Sequence, residues 1–351
     1  MDLSYNIIVK SLLCQHSETT NPVIEDHCHY EVAEILAMAP LGAQQLTSKV
    51  TECDISNNII PKKIKHIVIS GGGTTGLSFY GILRESNKKQ VWNIEDIESI
   101  YGTSVGTILA VVLCLKFEWD ILDKYFIERP WQNIFNFDIY SVLRVFEKRG
   151  IFSISLFEEM LHPLFLAADI PMNVTLQKFY EITKIELHIF VTEINKFETV
   201  DVSYKTHPEW QLIQTVYASS TIPIIFEPWS FENKMYIDGG ILMNYPVCHC
   251  IRNGALPDEI FGLNKIHNSM RENIKDESSF FDYIILIINR ILDMVLNQKK
   301  NEYIANEINI TSHPVNIQEI LHTASSMEER ERLIKIGVEN FQDYYNKNKK
   351  I

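Results

Sequence analysis

Short runs of consecutive apolar residues, closed by glycine or polar turns, alternate along this chain with stretches of helical period. His66-Ile67-Val68-Ile69-Ser70 is the first run, β-branched and followed by Gly71-Gly72-Gly73. It predicts a buried strand. Leu77 to Leu83 begins a helix, and Asn87 to Asn93 is a polar connection. Glu98-Ser99-Ile100-Tyr101 reads as the end of a second strand, and Thr107 to Leu113 as a buried helix. This order, strand–loop–helix–strand–turn–helix, is that of a crossover unit on a parallel sheet. Aromatic-rich helical patterns follow at Trp119 to Phe126 and Ile154 to Leu166, either packing on the sheet or roofing a cleft.

The second half continues the alternation. Leu187 to Thr192 is a strand, Glu193 to Phe197 a turn, and Glu198 to Tyr204 a returning strand. Ile213 to Ser219 is a helix stopped by Pro223. Met235-Tyr236-Ile237 is a short strand that ends in Asp238-Gly239-Gly240. Ile260 to Leu263 is a further strand, and Glu328 to Tyr345 an amphipathic helix. The expected fold is α/β, a three-layer α/β/α sandwich on a mostly parallel sheet. Residues 1–60 are expected to be an accessory segment with one helix, Tyr30 to Met38. Residues 61–351 form the main domain, with its motifs between 65 and 250 and helices packed on it between 270 and 346.

Composition narrows the partners. The 351 residues carry a formal net charge of −13, which argues against nucleic acid and against diffuse adsorption to anionic membranes. The most apolar stretch, Phe280 to Leu296, is broken by Asp282, Asn289, Arg290 and Asp293. It is too interrupted for a spanning helix, which needs ~20 mostly apolar residues. The first residues do not read as a secretory signal. The six cysteines follow no framework spacing and read as reduced thiols. The chain is therefore expected inside a cell, soluble or held at a membrane surface.

The chemistry concentrates in two glycine-rich turns. Gly102-Thr103-Ser104-Val105-Gly106 lies between predicted strand and helix. A serine there, with glycine two residues away on each side, fits a nucleophile elbow. Gly71-Gly72-Gly73-Thr74-Thr75-Gly76 lies at the preceding strand-to-helix junction. Its amides can form an anion-binding nest at a helix N-terminus, a candidate for holding an oxyanion. The same loop also fits a dinucleotide site, with Glu95 or Asp96 as the ribose acid. Those acids, however, precede the second strand, where a ribose acid should end it. Asp238 before Gly239-Gly240 reads locally as a turn aspartate. His27-Cys28-His29 and Cys248-His249-Cys250 could supply zinc ligands, but their spacing is unlike a zinc knuckle.

Taken together the blocks resemble the patatin-like phospholipase family. The glycine loop with Gly76, the Ser104 elbow with Gly102 and Gly106, and Asp238-Gly239-Gly240 followed by Asn244-Tyr245-Pro246 occur in that family's order. Ala218 to Pro228 resembles the segment before its last block, and Arg332 to Gly337 its C-terminal helix. The resemblance implies hydrolysis of lipid acyl esters, of phospholipase A or lysophospholipase type, by a Ser104–Asp238 dyad. The amides of Gly71, Gly72 and Gly73 would hold the oxyanion. It implies no cofactor and no metal, so that chelating calcium leaves the rate unchanged. The substrate would be lipid, met at a membrane surface. One departure stands out: the family carries Arg or Lys where this chain has Thr75. Two alternatives remain at this level. One is a triad completed by His249, His267 or His322. The other is a lipid-binding protein of weak or no activity on the same fold.

Overall fold

The computed structural model describes residues 63–135, 145, 147–267, 283–284, 286–287, 290, 303–312 and 317–348. The predicted helix Tyr30 to Met38, and most of the stretch Phe280 to Leu296, lie outside them. In chain order the principal elements are β1 (His66–Ile69), α1 (Thr75–Lys88), β2 (Ser99–Thr103), α2 (Val105–Cys114), α3 (Trp119–Asp123), β3 (Gly150–Phe152), α4 (Ser155–Ala167) and α5 (Leu176–Thr183). They continue with β4 (Glu186–Glu193), β5 (Glu198–Val202), α6 (Leu212–Ser220), β6 (Ile224–Phe226), β7 (Trp229–Phe231), β8 (Lys234–Asp238) and α7 (Val247–Arg252). The last are β9 (Ile260–His267), β10 (Asn306–Ser312), α8 (Ile317–Ser325) and α9 (Met327–Asn348).

The main sheet runs in the order β10-β9-β1-β2-β4-β8-β7, with β5 also on β4. The first five strands are mutually parallel; β5, β7 and β8 join antiparallel. The expected crossover is therefore present: β1 pairs parallel with β2, Ile69 opposite Gly102. That register ends both strands at one level, so the turns that follow them, the glycine loop and the Ser104 turn, lie side by side. Ligand sites of open α/β sheets form at such carboxyl ends.

Both faces of the central strands are covered, as their unbroken apolar runs require. Alternate residues enter different clusters. Ile67, Ile69, Ile100, Ile189 and Val191 join the large core with α1, α2, α4 and α6. Val68, Tyr101 and Phe190 join a smaller one with Val247 and Cys250 of α7. These are the two outer layers of the expected sandwich. The terminal helix α9 lies along α1 at near-backbone contact. A Cβ on Gly81 would meet the carbonyl of Ile334, one on Gly337 would meet that of Ser78, and the Ser78 hydroxyl donates to the Leu333 carbonyl at 2.7 Å.

Three features differ from the sequence reading. The strand beginning at Ile260 runs on to His267, and β10, Asn-rich and half polar, pairs with its whole length as the edge strand. The strand from Glu198 stops at Val202 because Ser203 to Thr206 closes a turn, the Thr206 amide donating to the Ser203 carbonyl. The helix at Trp119 widens after Asp123 into a five-residue turn with i→i+5 bonding, Lys124–Glu128. Among the described residues, no helix is long and apolar enough to cross a membrane.

Candidate active site

Ser104 sits between β2 and α2 with φ +53° and ψ −125°, a region that residues with side chains rarely occupy. The close packing of the turn holds it there. A Cβ on Gly102 would fall 2.8 Å from the backbone of Gly106 and Thr107, and one on Gly106 would strike the carbonyls of Ile69 and Ser70 at the end of β1. Glycine at both positions is what lets the helix start directly over the sheet edge. A hydrogen-bond brace fixes the strained residue from beneath. The Ser104 amide donates to Ser219 Oγ at 3.0 Å, and Ser219 Oγ donates to the Phe190 carbonyl at 2.7 Å. Ser219 comes from α6, inside the segment Ala218 to Pro228.

Asp238 ends β8 and is 5% exposed. Its amide donates to the Thr221 carbonyl, its carbonyl accepts from Thr192 Oγ1, and its Oδ1 accepts the Gly240 amide at 2.7 Å. Burial pushes its carboxyl up to about 6, against the opposing pull of the nearby Ser104 hydroxyl and of the hydrogen bond from the Gly240 amide. The fold thus brings Ser104 and Asp238, 134 positions apart in the sequence, close together in a desolvated pocket. Gly239 permits this approach, since a Cβ there would collide with the carbonyl of Phe190 on β4.

The glycine loop faces the same point. A Cβ on Gly71 would lie 3.2 Å from the Ser104 Cβ, and one on Gly76 would run into Val105. The N-termini of α1 and α2 therefore converge on one place, and their dipoles add there. Gly73 has φ +57°, which only glycine adopts without strain. One expectation needs correction. The Gly71 amide donates to the Asn244 carbonyl at 3.1 Å and is not available to an oxyanion. The amides of Gly72 and Gly73 have no protein acceptor among the described residues. Asn244, quoted from the sequence without a role, turns out to be the clasp between the two halves of the site. Its backbone holds Gly71, its Nδ2 donates to the Gly71 carbonyl at 3.4 Å, and its Oδ1 lies against Gly240.

The dinucleotide reading loses its acids: Glu95 pairs with Lys116 and Asp96 with Lys63, both away from the loop. Of the histidines weighed for a triad, His249 packs its ring on Phe190 at 4.8 Å and faces Asp201 at 3.9 Å. His322 is exposed on α8, and His267 ends β9. Cys248 lies 3.9 Å from the Met243 sulfur and Cys250 is buried; His27, Cys28 and His29 lie outside the described residues.

A cavity of about 180 Å³, open to solvent, leads away from Ser104 and Gly73. Its walls are apolar: Ile108 and Leu109 of α2, Phe126, Trp131, Phe135, Leu156, Phe157 and Met160, with Ile320 and Ala324 of α8. The aromatic-rich stretch read as packing or roofing does both. Arg330 closes one wall, its guanidinium bonded to the carbonyls of Ile127, Arg129, Thr323 and Ala324.

Comparison with known proteins agrees with this fold. The patatin-like phospholipase family profile matches residues 67–250. A probable lipid hydrolase, 463L of Invertebrate iridescent virus 6, is 24% identical over 247 residues, 68% of this chain and 83% of its own. The uncharacterized protein R571 of Acanthamoeba polyphaga mimivirus is 27% identical over 264 residues, 72% of this chain and 86% of its own. Among solved structures, VipD from Legionella pneumophila superposes with a TM-score of 0.50 at 18% identity, covering 80% of this chain and 66% of that one. The chain thus spans just under two thirds of the VipD chain, and the likeness is one of fold.

Proposed function

Since the chain belongs to the patatin-like phospholipase family, whose members include lipid hydrolases, we propose that it is a serine-dependent lipid acyl hydrolase working through a Ser104–Asp238 dyad. The observation that carries this reading is the placement of Ser104, on its strained turn, beside a buried carboxyl raised to about 6. A carboxylate so raised is a better base than an exposed one and is still ionised at neutral pH.

In the proposed reaction Asp238 accepts the hydroxyl proton as Ser104 Oγ attacks the ester carbonyl carbon. The negative charge formed on the carbonyl oxygen is met by the amides of Gly72 and Gly73 and by the converging helix N-termini. Collapse breaks the ester C–O bond. The leaving alcohol oxygen takes the proton from Asp238, and the acyl group stays on Ser104. Asp238 then draws a proton from water as the water oxygen attacks. The fatty acid leaves and Ser104 regains its proton. The strained Ser104 backbone and its Ser219 brace support this role, because they hold Oγ in one orientation before substrate arrives. The apolar cavity supports a long acyl chain as the bound group, because the side chains that line it beyond Ser104 are almost all apolar.

The test is fatty-acid release from phospholipid and lysophospholipid vesicles. Ser104→Ala and Asp238→Asn are each expected to abolish release while the protein stays folded. Release by either variant at a rate near wild type would rule the dyad out.

A further inference from the structure

The side chain of Asn244 has no part in the scheme above. The clasp on Gly71 is made by its main chain, the Gly71 amide donating to the Asn244 carbonyl at 3.1 Å. Every residue carries that carbonyl, so the clasp alone does not ask for asparagine. The side chain adds one long bond, from Nδ2 to the Gly71 carbonyl at 3.4 Å, which turns the carboxamide oxygen the other way. A Cβ built on Gly71 would lie 2.5 Å from Asn244 Oδ1, and one on Gly240 would lie 2.9 Å from it. Two glycines from different halves of the site thus leave room for the same oxygen.

Both of those points also touch the reacting groups. The Gly71 point is 3.2 Å from Ser104 Cβ, and the Gly240 point is 2.9 Å from Asp238 Oδ1. Asn244 Oδ1 is therefore within about 6 Å of the base and of the nucleophile's Cβ, a span that one water bridges. The residue is half-buried, and its Oδ1 accepts from no protein donor among the described residues. The amides of Gly72 and Gly73 offer donors to an oxyanion; this corner offers an acceptor. An acceptor beside the base suits the one reactant that has a second proton to place, the water of deacylation.

We infer that Asn244 is a further catalytic residue of deacylation, its Oδ1 accepting a hydrogen bond from the attacking water and aiming the water oxygen at the acyl carbon. The inference rests on the proposed Ser104–Asp238 reaction. In this step one water proton passes to Asp238 as the oxygen bonds to the acyl carbonyl carbon. The other proton is donated to Asn244 Oδ1, stays on its oxygen and becomes the acid proton of the released product. Collapse breaks the bond to Ser104 Oγ, which takes the proton from Asp238. Without Oδ1 the water is held by Asp238 alone and turns about that single bond, which corresponds to a loss of roughly 10- to 100-fold in the rate of this step. Acylation uses the serine hydroxyl, which has one proton and is already fixed by its backbone, so it has no such need.

The experiment separates the two half-reactions in wild type, Asn244→Ala, Asn244→Leu and Asn244→Asp, each checked by thermal melting. With a soluble short-chain p-nitrophenyl ester, release of p-nitrophenol reads formation of the acyl-enzyme. Intact mass at timed quenches, once the ester is spent, reads its decay. Asn244→Ala and Asn244→Leu should form the acyl-enzyme, and label with a fluorophosphonate, within about threefold of wild type. Their acyl-enzymes should decay at least tenfold more slowly and accumulate on Ser104, so that kcat and KM fall together with kcat/KM little changed. Asn244→Asp keeps an oxygen at this place and should discharge its acyl-enzyme faster than either at pH 8. If the alanine variant does not fold, the leucine variant, closer to asparagine in volume, carries the comparison. Folded alanine or leucine variants whose acyl-enzyme decays like wild type would overturn the inference. So would formation and decay slowed by the same factor, the mark of a merely structural side chain, or an aspartate variant no faster than these two. Failure of wild type to form any adduct would instead remove the Ser104 reading beneath it.

Discussion

Asp238→Asn should make the protein more stable while it removes activity, and the size of the gain follows from the site. Burial raises the Asp238 carboxyl from its ordinary 3.8 to about 6. Between those values the folded protein keeps a proton that the unfolded chain has released. Stability therefore falls as pH rises through this window and stays lower by the full amount above about 6. Two units correspond to about 3 kcal/mol at pH 8. Asparagine keeps an oxygen for the Gly240 amide, now bonded at 2.7 Å, and its NH₂ can face Ser104 Oγ. It gives up the stronger charge-assisted bonds, which offsets part of the gain. A net 1–3 kcal/mol remains, roughly a few °C in Tm for a domain of this size. The assay is thermal unfolding of both proteins from pH 4.5 to 8.5. The variant should melt higher at pH 8, and the difference should shrink towards pH 4.5. Equal melting at every pH, or a wild type more stable at pH 8, would refute the claim that a burial cost raises this carboxyl.

The same group sets a pH–rate profile: kcat/KM should rise with pH along a single limb with an apparent pKa near 6, because only ionised Asp238 accepts the serine proton. A limb more than a unit away would mean that another group is the base. His249→Ala should keep full turnover, since that ring lies on Phe190 and faces Asp201; loss of activity in a folded variant would restore the triad. Filling the cavity with Met160→Trp should cut kcat/KM for long acyl esters at least tenfold and leave short ones within threefold, as measured on a p-nitrophenyl ester chain-length series. An equal loss on both would mean that the acyl chain binds elsewhere.

What the sequence disclosed was what local chemistry controls. The Ser104 turn was legible because glycine stands two residues away on each side of the serine and a buried helix follows at once. The strands β1, β2 and β4 announced themselves as short apolar runs, and the parallel pairing of β1 with β2 followed from the helix between them. Other features depended on distant partners. The loss of the Gly71 amide could not be read locally because its acceptor, Asn244, lies 173 positions away. β10 was missed because Asn306, Glu307 and Asn309 give an edge strand a polar surface, without the apolar run that marked the central strands. Lys265 fell beyond the predicted strand Ile260 to Leu263, and only the longer β9 beside β1 sets its stem against Gly72. Ser219 was quoted as part of a block, but its brace under Ser104 is a tertiary fact.

The central claim is that Ser104 is an activated nucleophile, and intact-mass analysis after fluorophosphonate labelling tests it most directly. Wild type should gain one adduct, mapped to Ser104, and Ser104→Ala should gain none. A folded wild type that takes no adduct, or an adduct that persists in Ser104→Ala, would contradict the account.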